Sequence, residues 1–95
     1  MSAEPLVTVL VPALDEEADI AGCIRAIGAQ SHPTDRIQLV VVDAASTDAT
    51  VPTVREVASE LPFAEVVIAQ NPARRTSAGL NIGLGHARGD YVARV

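Results

Sequence analysis

Short apolar runs alternate along this chain with longer stretches in which apolar residues recur every third or fourth position. Leu6-Val7-Thr8-Val9-Leu10-Val11, mostly β-branched and set between Pro5 and Pro12, predicts a strand over 6–11 buried on both faces. Downstream, Ile20, Cys23, Ile24 and Ile27 fall at spacings of three and four, with Asp15, Glu16, Glu17 and Asp19 ahead of them. That pattern predicts an amphipathic helix over 15–29 whose acidic first turn complements the helix dipole. Gly28, Ser31 and Pro33 close it, and Ile37-Gln38-Leu39-Val40-Val41-Val42-Asp43 predicts a second buried strand ending on a charge. Val51, Val54, Val57, Ala58 and Leu61 give a second helical stripe. Thr50 or Val51 is its expected N-cap, with Pro52 in the first turn, where a missing N–H does no harm. A third strand is expected over 64–69, broken by Asn71-Pro72. A third helix follows over 75–87 despite Gly79, Gly83 and Gly85, and Gly89-Asp90 turns the chain into a fourth strand over 91–95.

Strands alternating with helices through short connections imply an α/β fold: a Rossmann-like parallel sheet with right-handed crossovers and helices on both faces. The first strand, apolar on both faces, belongs in the interior of the sheet. Ligands of such sheets sit outside the carboxyl ends of the strands. Three polar segments follow those ends, 12–17, 43–48 and 70–76.

Ninety-five residues, 48% of them hydrophobic, make residues 1–95 a single domain, with no repeat, low-complexity tract or linker to divide them. With 2% aromatic residues, the core rests on Val, Ile, Leu and Ala. A net charge of −5 with no lysine argues against general binding to nucleic acid or anionic membrane. The charge is uneven. Residues 1–70 carry three arginines against eleven acids, a balance of −8, whereas residues 71–95 carry four arginines against Asp90, a balance of +3, so an anion favours the later segment. No apolar run is long enough to span a bilayer, and the first 14 residues hold no basic leader. The lone Cys23 cannot close an intrachain disulfide, which fits a reducing, cytoplasmic setting, and His32 and His86 lie too far apart for a finger-like metal site.

Asp43 is the sharpest chemical signal, because a carboxylate ending an apolar strand can accept hydrogen bonds from a ligand at the sheet edge. An Asx-type brace of the following loop explains it equally well. Ser46 and Asp48 read first as caps or turn formers. The segment after the first strand has neither GxGxxG nor a Walker pattern, and its acidic helix start repels a diphosphate, so Arg74 and Arg75 or a metal ion must neutralise any phosphate. Cys23 on an apolar helix face is expected in the core, and His32 beside Pro33 in a loop.

Taken together, Val9-Leu10-Val11-Pro12-Ala13-Leu14-Asp15-Glu16-Glu17, Val40-Val41-Val42-Asp43-Ala44-Ala45-Ser46-Thr47-Asp48-Ala49-Thr50, Asn71-Pro72-Ala73-Arg74, Ala78-Gly79-Leu80-Asn81-Ile82-Gly83 and Ala87-Arg88-Gly89-Asp90-Tyr91-Val92 resemble the N-terminal half of family 2 glycosyltransferases with the GT-A fold. The Asn-Pro-x-Arg variant is similar to the branch that builds bacterial exopolysaccharides such as succinoglycan. The resemblance implies an inverting transferase that moves sugar from a nucleotide-sugar, a UDP-sugar by the family's preference, to a glycan or lipid-linked acceptor. Pro12, Ala13, Asp15 and Glu16 would border the base, Asp43 would bond the base or ribose with Ser46 beside it, and Arg74 and Arg75 would lie toward the diphosphate. Asn81 and Gly83, which also match, read as helix packing and loop closure.

Asp15 stands where the family usually has Asn, and Ala44 where many members have a second Asp. The family's Asp-x-Asp motif, which holds a divalent metal, Mg²⁺ or Mn²⁺, and its acceptor-side base fall after the position of Val95. The chain is therefore expected to be a donor-binding half that carries no catalytic residue or metal ligand, does not transfer sugar alone, and self-associates through an exposed sheet edge around 91–95. A receiver-like or flavodoxin-like regulatory module is the alternative; a receiver needs a late lysine, and there is none.

Overall fold

The computed structural model describes residues 4–95. Four strands, β1 (Val7–Ala13), β2 (Ile37–Asp43), β3 (Glu65–Gln70) and β4 (Tyr91–Arg94), alternate with helices α1 (Ile20–Ala29), α2 (Thr50–Ser59) and α3 (Thr76–His86). Every pairing is parallel, in the order β3-β2-β1-β4. β1 is interior, as its two apolar faces require, and all seven residues of β2 are buried.

Side chains alternate across the sheet and build two apolar layers. On one face Val9, Val11 and Ala13 of β1 and Leu39 and Val41 of β2 meet Ile20, Ile24 and Ile27 of α1 and Val54, Val57 and Ala58 of α2. On the other, Leu10, Val40 and Val42 pack with Leu80 and Ile82 of α3. Each fully buried Val, Ile or Leu contributes about 1.5–3 kcal/mol. Gly83 lets α3 approach closely, since a Cβ there would stand 2.8 Å from Leu10 and 3.2 Å from Val42. The packing role expected of Gly83 is therefore correct, whereas Asn81 is exposed.

Three boundaries depart from the sequence pattern. β1 continues through Pro12 to Ala13, because β4 pairs only with Val7 to Leu10 and leaves that flank of β1 open, where a residue without an N–H costs no ladder bond. α1 starts at Ile20 rather than Asp15, and its first turn holds no acid. The residues ahead of it form turns, since Asp15 lies in the left-handed region (φ 47°), where a right-handed helix cannot start, and the N–H groups of 15–17 bond to side chains of the loop after β2. α2 begins at Thr50 after an Ala49 N-cap, with Pro52 in the first turn as expected. β3 is an edge strand and only its Ala69 is buried, so its apolar run reflects a half-covered position.

A polar cluster inside the sheet fastens its amino-terminal end. Thr8 and Gln38 are both fully buried. Gln38 Oε1 accepts from Thr8 Oγ1 (2.6 Å) and from the Arg88 N–H (2.8 Å), while Nε2 donates to the His86 carbonyl and to Glu65 Oε1, each at 2.8 Å. Both amide protons and two acceptor positions are thus used, which removes the cost of burying them. Thr8 Oγ1 also accepts from the Gly89 N–H (2.9 Å), so the α3–β4 connection is pinned to β1 and β2. Arg88 Nε donates to Glu65 Oε1 at 2.8 Å, and this bond holds the Glu65 carboxyl below the ordinary glutamate range.

Candidate functional site

The loops after β1, β2 and β3 converge at the carboxyl edge of the sheet around a cleft of about 240 Å³. The end of β1 contributes Pro12 and Ala13 and the first loop Leu14 and Glu16, and the second loop contributes Ala44; the third contributes Asn71, Arg74 and Arg75, and Thr76 opens α3 there. Each loop contains one non-glycine residue in the left-handed region: Asp15 (φ 47°), Ala45 (φ 57°) and Arg74 (φ 60°). Such a conformation costs about 1–2 kcal/mol per residue and persists only where surrounding bonds enforce it.

Those bonds run between the first two loops. The backbone N–H of Asp15 donates to Ser46 Oγ (2.8 Å), that of Glu16 to Thr50 Oγ1 (2.8 Å) and that of Glu17 to Asp48 Oδ2 (3.3 Å). In return the Thr47 N–H donates to Asp15 Oδ1 (2.8 Å). Asp48 Oδ1 accepts from both the N–H (2.9 Å) and the hydroxyl (2.5 Å) of Thr50, and the hydroxyl bond is the main reason its carboxyl lies below the ordinary aspartate range. Asp43 anchors the second loop from below. Its Oδ1 accepts from the Ser46 hydroxyl (2.5 Å) and its Oδ2 from the Ser46 N–H (3.0 Å), with the residue 1% exposed.

The third loop is held by Asn71, which is 3% exposed. Its N–H donates to the Asp43 carbonyl (2.7 Å), its carbonyl accepts from the Arg74 N–H (3.0 Å), and Nδ2 donates to the Arg75 carbonyl (2.9 Å). Because a carbonyl only accepts, that last bond fixes which way the amide faces and leaves Oδ1 buried without a partner. A Cβ at position 79 would stand 2.9 Å from Asn71 Nδ2, so Gly79 admits the amide beneath α3. Arg75 caps α3 through backbone geometry, without a side-chain bond, and the first turn carries no acid. The positive helix end and two arginines thus face the cleft beside a single carboxylate, Glu16.

The expected site residues therefore divide into two groups. Pro12, Ala13, Glu16, Arg74 and Arg75 line the cleft. Asp15, Asp43 and Ser46 hold its loops together, and both oxygens of Asp43 are occupied in the bracing role that the sequence offered as one of two alternatives. The sequence did not show the roles of Asn71 and Thr50 at the site. Asn71 read as a strand breaker before Pro72 and as part of the Asn-Pro-x-Arg match, and Thr50 as an N-cap of the second helix, with no visible sign of its reach across to Glu16. Cys23 packs at the rim of the larger apolar layer, where burial and then Glu16 push its thiol up, away from nucleophilic use. His32 lies in the α1–β2 connection with Nε2 2.9 Å from the Pro5 carbonyl oxygen. Among the described residues no group of three or more His, Cys, Asp or Glu is placed to hold a metal ion, and no helix is long and apolar enough to cross a membrane.

Residues 8–95 match the family model described as glycosyl transferase family 2. The chain belongs to this family. The structure of a Pyrobaculum calidifontis mannosyltransferase, PcManGT, in complex with GDP-Man and Mn²⁺ superposes on this family 2 chain with a TM-score of 0.84 at 36% identity, covering 96% of it and 27% of the mannosyltransferase. S. aureus TarS 1-349 in complex with UDP-GlcNAc superposes with a TM-score of 0.79 at 26% identity, covering 94% of this chain and 25% of TarS. A Bacillus subtilis (strain 168) protein named "Probable glycosyltransferase YdaM" is 33% identical over 94 residues, which is 97% of this chain and 22% of YdaM. The chain thus spans roughly a quarter of the length of these relatives. The sheet and its flanking helices are those of the amino-terminal half of a GT-A domain. Family membership leaves no place for the receiver-like alternative, and the buried, doubly bonded Asp43 carboxylate is no exposed phosphoacceptor.

Proposed function

We propose that the cleft binds the nucleoside-diphosphate portion of a nucleotide-sugar, and that the chain is the donor-binding half of a glycosyltransferase acting on a glycan or lipid-linked acceptor. One observation carries this proposal: the three strand-end loops meet at a single cleft, where Arg74, Arg75 and the amino end of α3 supply positive potential. Pro12, Ala13 and Glu16 border the base, and the arginine pair and helix end receive the diphosphate. Asp43 and Ser46 act from beneath, with Asp15, by fixing the loops. The relatives support a nucleotide donor, since one is named with GDP-Man and another with UDP-GlcNAc.

In the proposed reaction the acceptor hydroxyl oxygen attacks the anomeric carbon from the face opposite the leaving group. The carbon–oxygen bond to the β-phosphate breaks, nucleoside diphosphate departs, and the hydroxyl proton passes to a carboxylate base, with inversion at the sugar. A divalent cation, Mg²⁺ or Mn²⁺, belongs to the proposal as a group that other parts of the enzyme would hold, and the PcManGT complex named with Mn²⁺ supports it. Bacterial exopolysaccharide synthesis in the cytoplasm remains the proposed setting, in keeping with the free thiol of Cys23.

The test is calorimetric titration of the intact protein with UDP, GDP and the matching nucleosides. Arg74→Ala and Arg75→Ala should each weaken the diphosphate severalfold while leaving the nucleoside unchanged. Equal loss for both ligands would move the arginines away from the phosphates, and absence of binding to either diphosphate would remove the donor site altogether.

A further inference from the structure

We propose that Thr50 and Asp48 are positioning residues of the donor cleft: they set its first wall through a hydrogen-bond relay without touching the ligand. The proposal rests on the donor-site assignment above. Glu16 lines the cleft, whereas Thr50 and Asp48 do not. Thr50 is fully buried. Its hydroxyl has one proton, and the 2.5 Å bond to Asp48 Oδ1 fixes where that proton points. The lone pairs of Oγ1 are thereby turned to the Glu16 N–H, which they meet at 2.8 Å.

The same carboxylate takes the Glu17 N–H through Oδ2 and the Thr50 N–H through Oδ1, so one ionised group organises two consecutive amides of the opposite loop together with the start of α2. These bonds span 31 and 34 residues, far beyond a local cap. With Asp15 held at φ 47°, the wall has no cheap alternative arrangement once the relay is in place. A ligand entering the cleft therefore meets a preset surface and does not bear the cost of ordering it.

Thr50→Val keeps the shape of the side chain and deletes the relay, leaving the Glu16 N–H without its partner; Thr50→Ser keeps the relay. Measured on the intact protein with UDP and GDP, Thr50→Val should weaken whichever diphosphate the wild type binds by about tenfold, the scale of one hydrogen bond lost with its donor left unpaired. Thr50→Ser should stay within about twofold of wild type. Amide exchange at Glu16 should accelerate in Thr50→Val alone. Should Thr50→Val not fold, Asp48→Ala at its partly exposed position provides the same two readouts. Wild-type affinity in a variant whose Glu16 amide has lost protection would overturn the proposal, as would equal weakening by Val and Ser. A wild-type protein that binds neither UDP nor GDP would instead overturn the donor-site assignment on which it rests.

Discussion

Ala45 bears its left-handed backbone with less help than either of the other two residues that share it. A short polar side chain such as that of Asp15 tolerates this region through local hydrogen bonds, and its Oδ1 does accept from the Thr47 N–H; alanine has only the Cβ penalty. Glycine at position 45 relieves that penalty but adds freedom to the unfolded chain, which offsets part of the gain. Ala45→Gly should therefore raise stability by about 0.5–1 kcal/mol in urea unfolding, without disturbing Ser46 or Asp43. Asn71 tests the opposite case. Replacement by Asp keeps the shape but turns the donor facing the Arg75 carbonyl into a second acceptor and places a charge at a position 3% exposed. Asn71→Asp should cost about 2–3 kcal/mol by the same measurement.

Glycines give the sharpest contrast at the level of elements. Gly22 lies in α1 with open space where a Cβ would stand, so Gly22→Ala should stabilise by up to about 1 kcal/mol. Gly89 starts the turn into β4, and a Cβ there would lie 2.5 Å from the Thr8 backbone nitrogen and 2.8 Å from the Tyr91 carbonyl oxygen. Neither obstacle is a flexible side-chain tip, so Gly89→Ala should cost about 3 kcal/mol and lower the thermal midpoint accordingly. The existence and order of all seven main elements were legible in the sequence because their signals are local: β-branched runs for β1 and β2, and three-and-four spacing for α1 and α2. The start of α1 was not legible, since Asp15, Glu16 and Glu17 look like a helix start, and the left-handed backbone of Asp15 is held by bonds to the distant loop after β2. Gln38 was equally opaque. Within an apolar strand it looks like a defect, and only the arrival of Thr8 from β1, Glu65 from β3 and His86 and Arg88 from the α3–β4 connection satisfies its amide. The candidate site followed the same division: the strand-end rule located the three loops, whereas separating cleft-lining residues from bracing ones required contacts across more than 30 residues.

Across the whole molecule, the two carboxylates held below their ordinary range sit apart, Asp48 in the loop clamp and Glu65 in the cluster that pins β4. A carboxyl whose folded pKa lies below its unfolded value adds stability that is fully present above the unfolded value and disappears as pH falls through the folded one. Thermal stability should therefore be level near neutrality and decline as pH drops below about 4.5, with Asp48→Asn flattening part of the decline. A second property of the whole molecule is its unequal edges. β3 presents Glu65 and Gln70 and is partly covered, but every residue of β4 is exposed, and Tyr91 and Val92 in it and Val95 after it are exposed apolar side chains. Only one flank of β4 is paired, with β1, so its outer N–H and C=O groups are available to another strand. An apolar, unpaired edge with Arg94 as the sole charge in the strand lacks the shielding that keeps edge strands apart. The 95-residue chain by itself should thus associate as its concentration rises, with light scattering reporting masses above that of one chain. Val92→Lys puts a charge on the exposed edge without entering either buried layer, and should shift the population toward the monomer. Wild-type chain that scatters as a monomer at every concentration would show that the short β4 edge is too small to recruit a second copy.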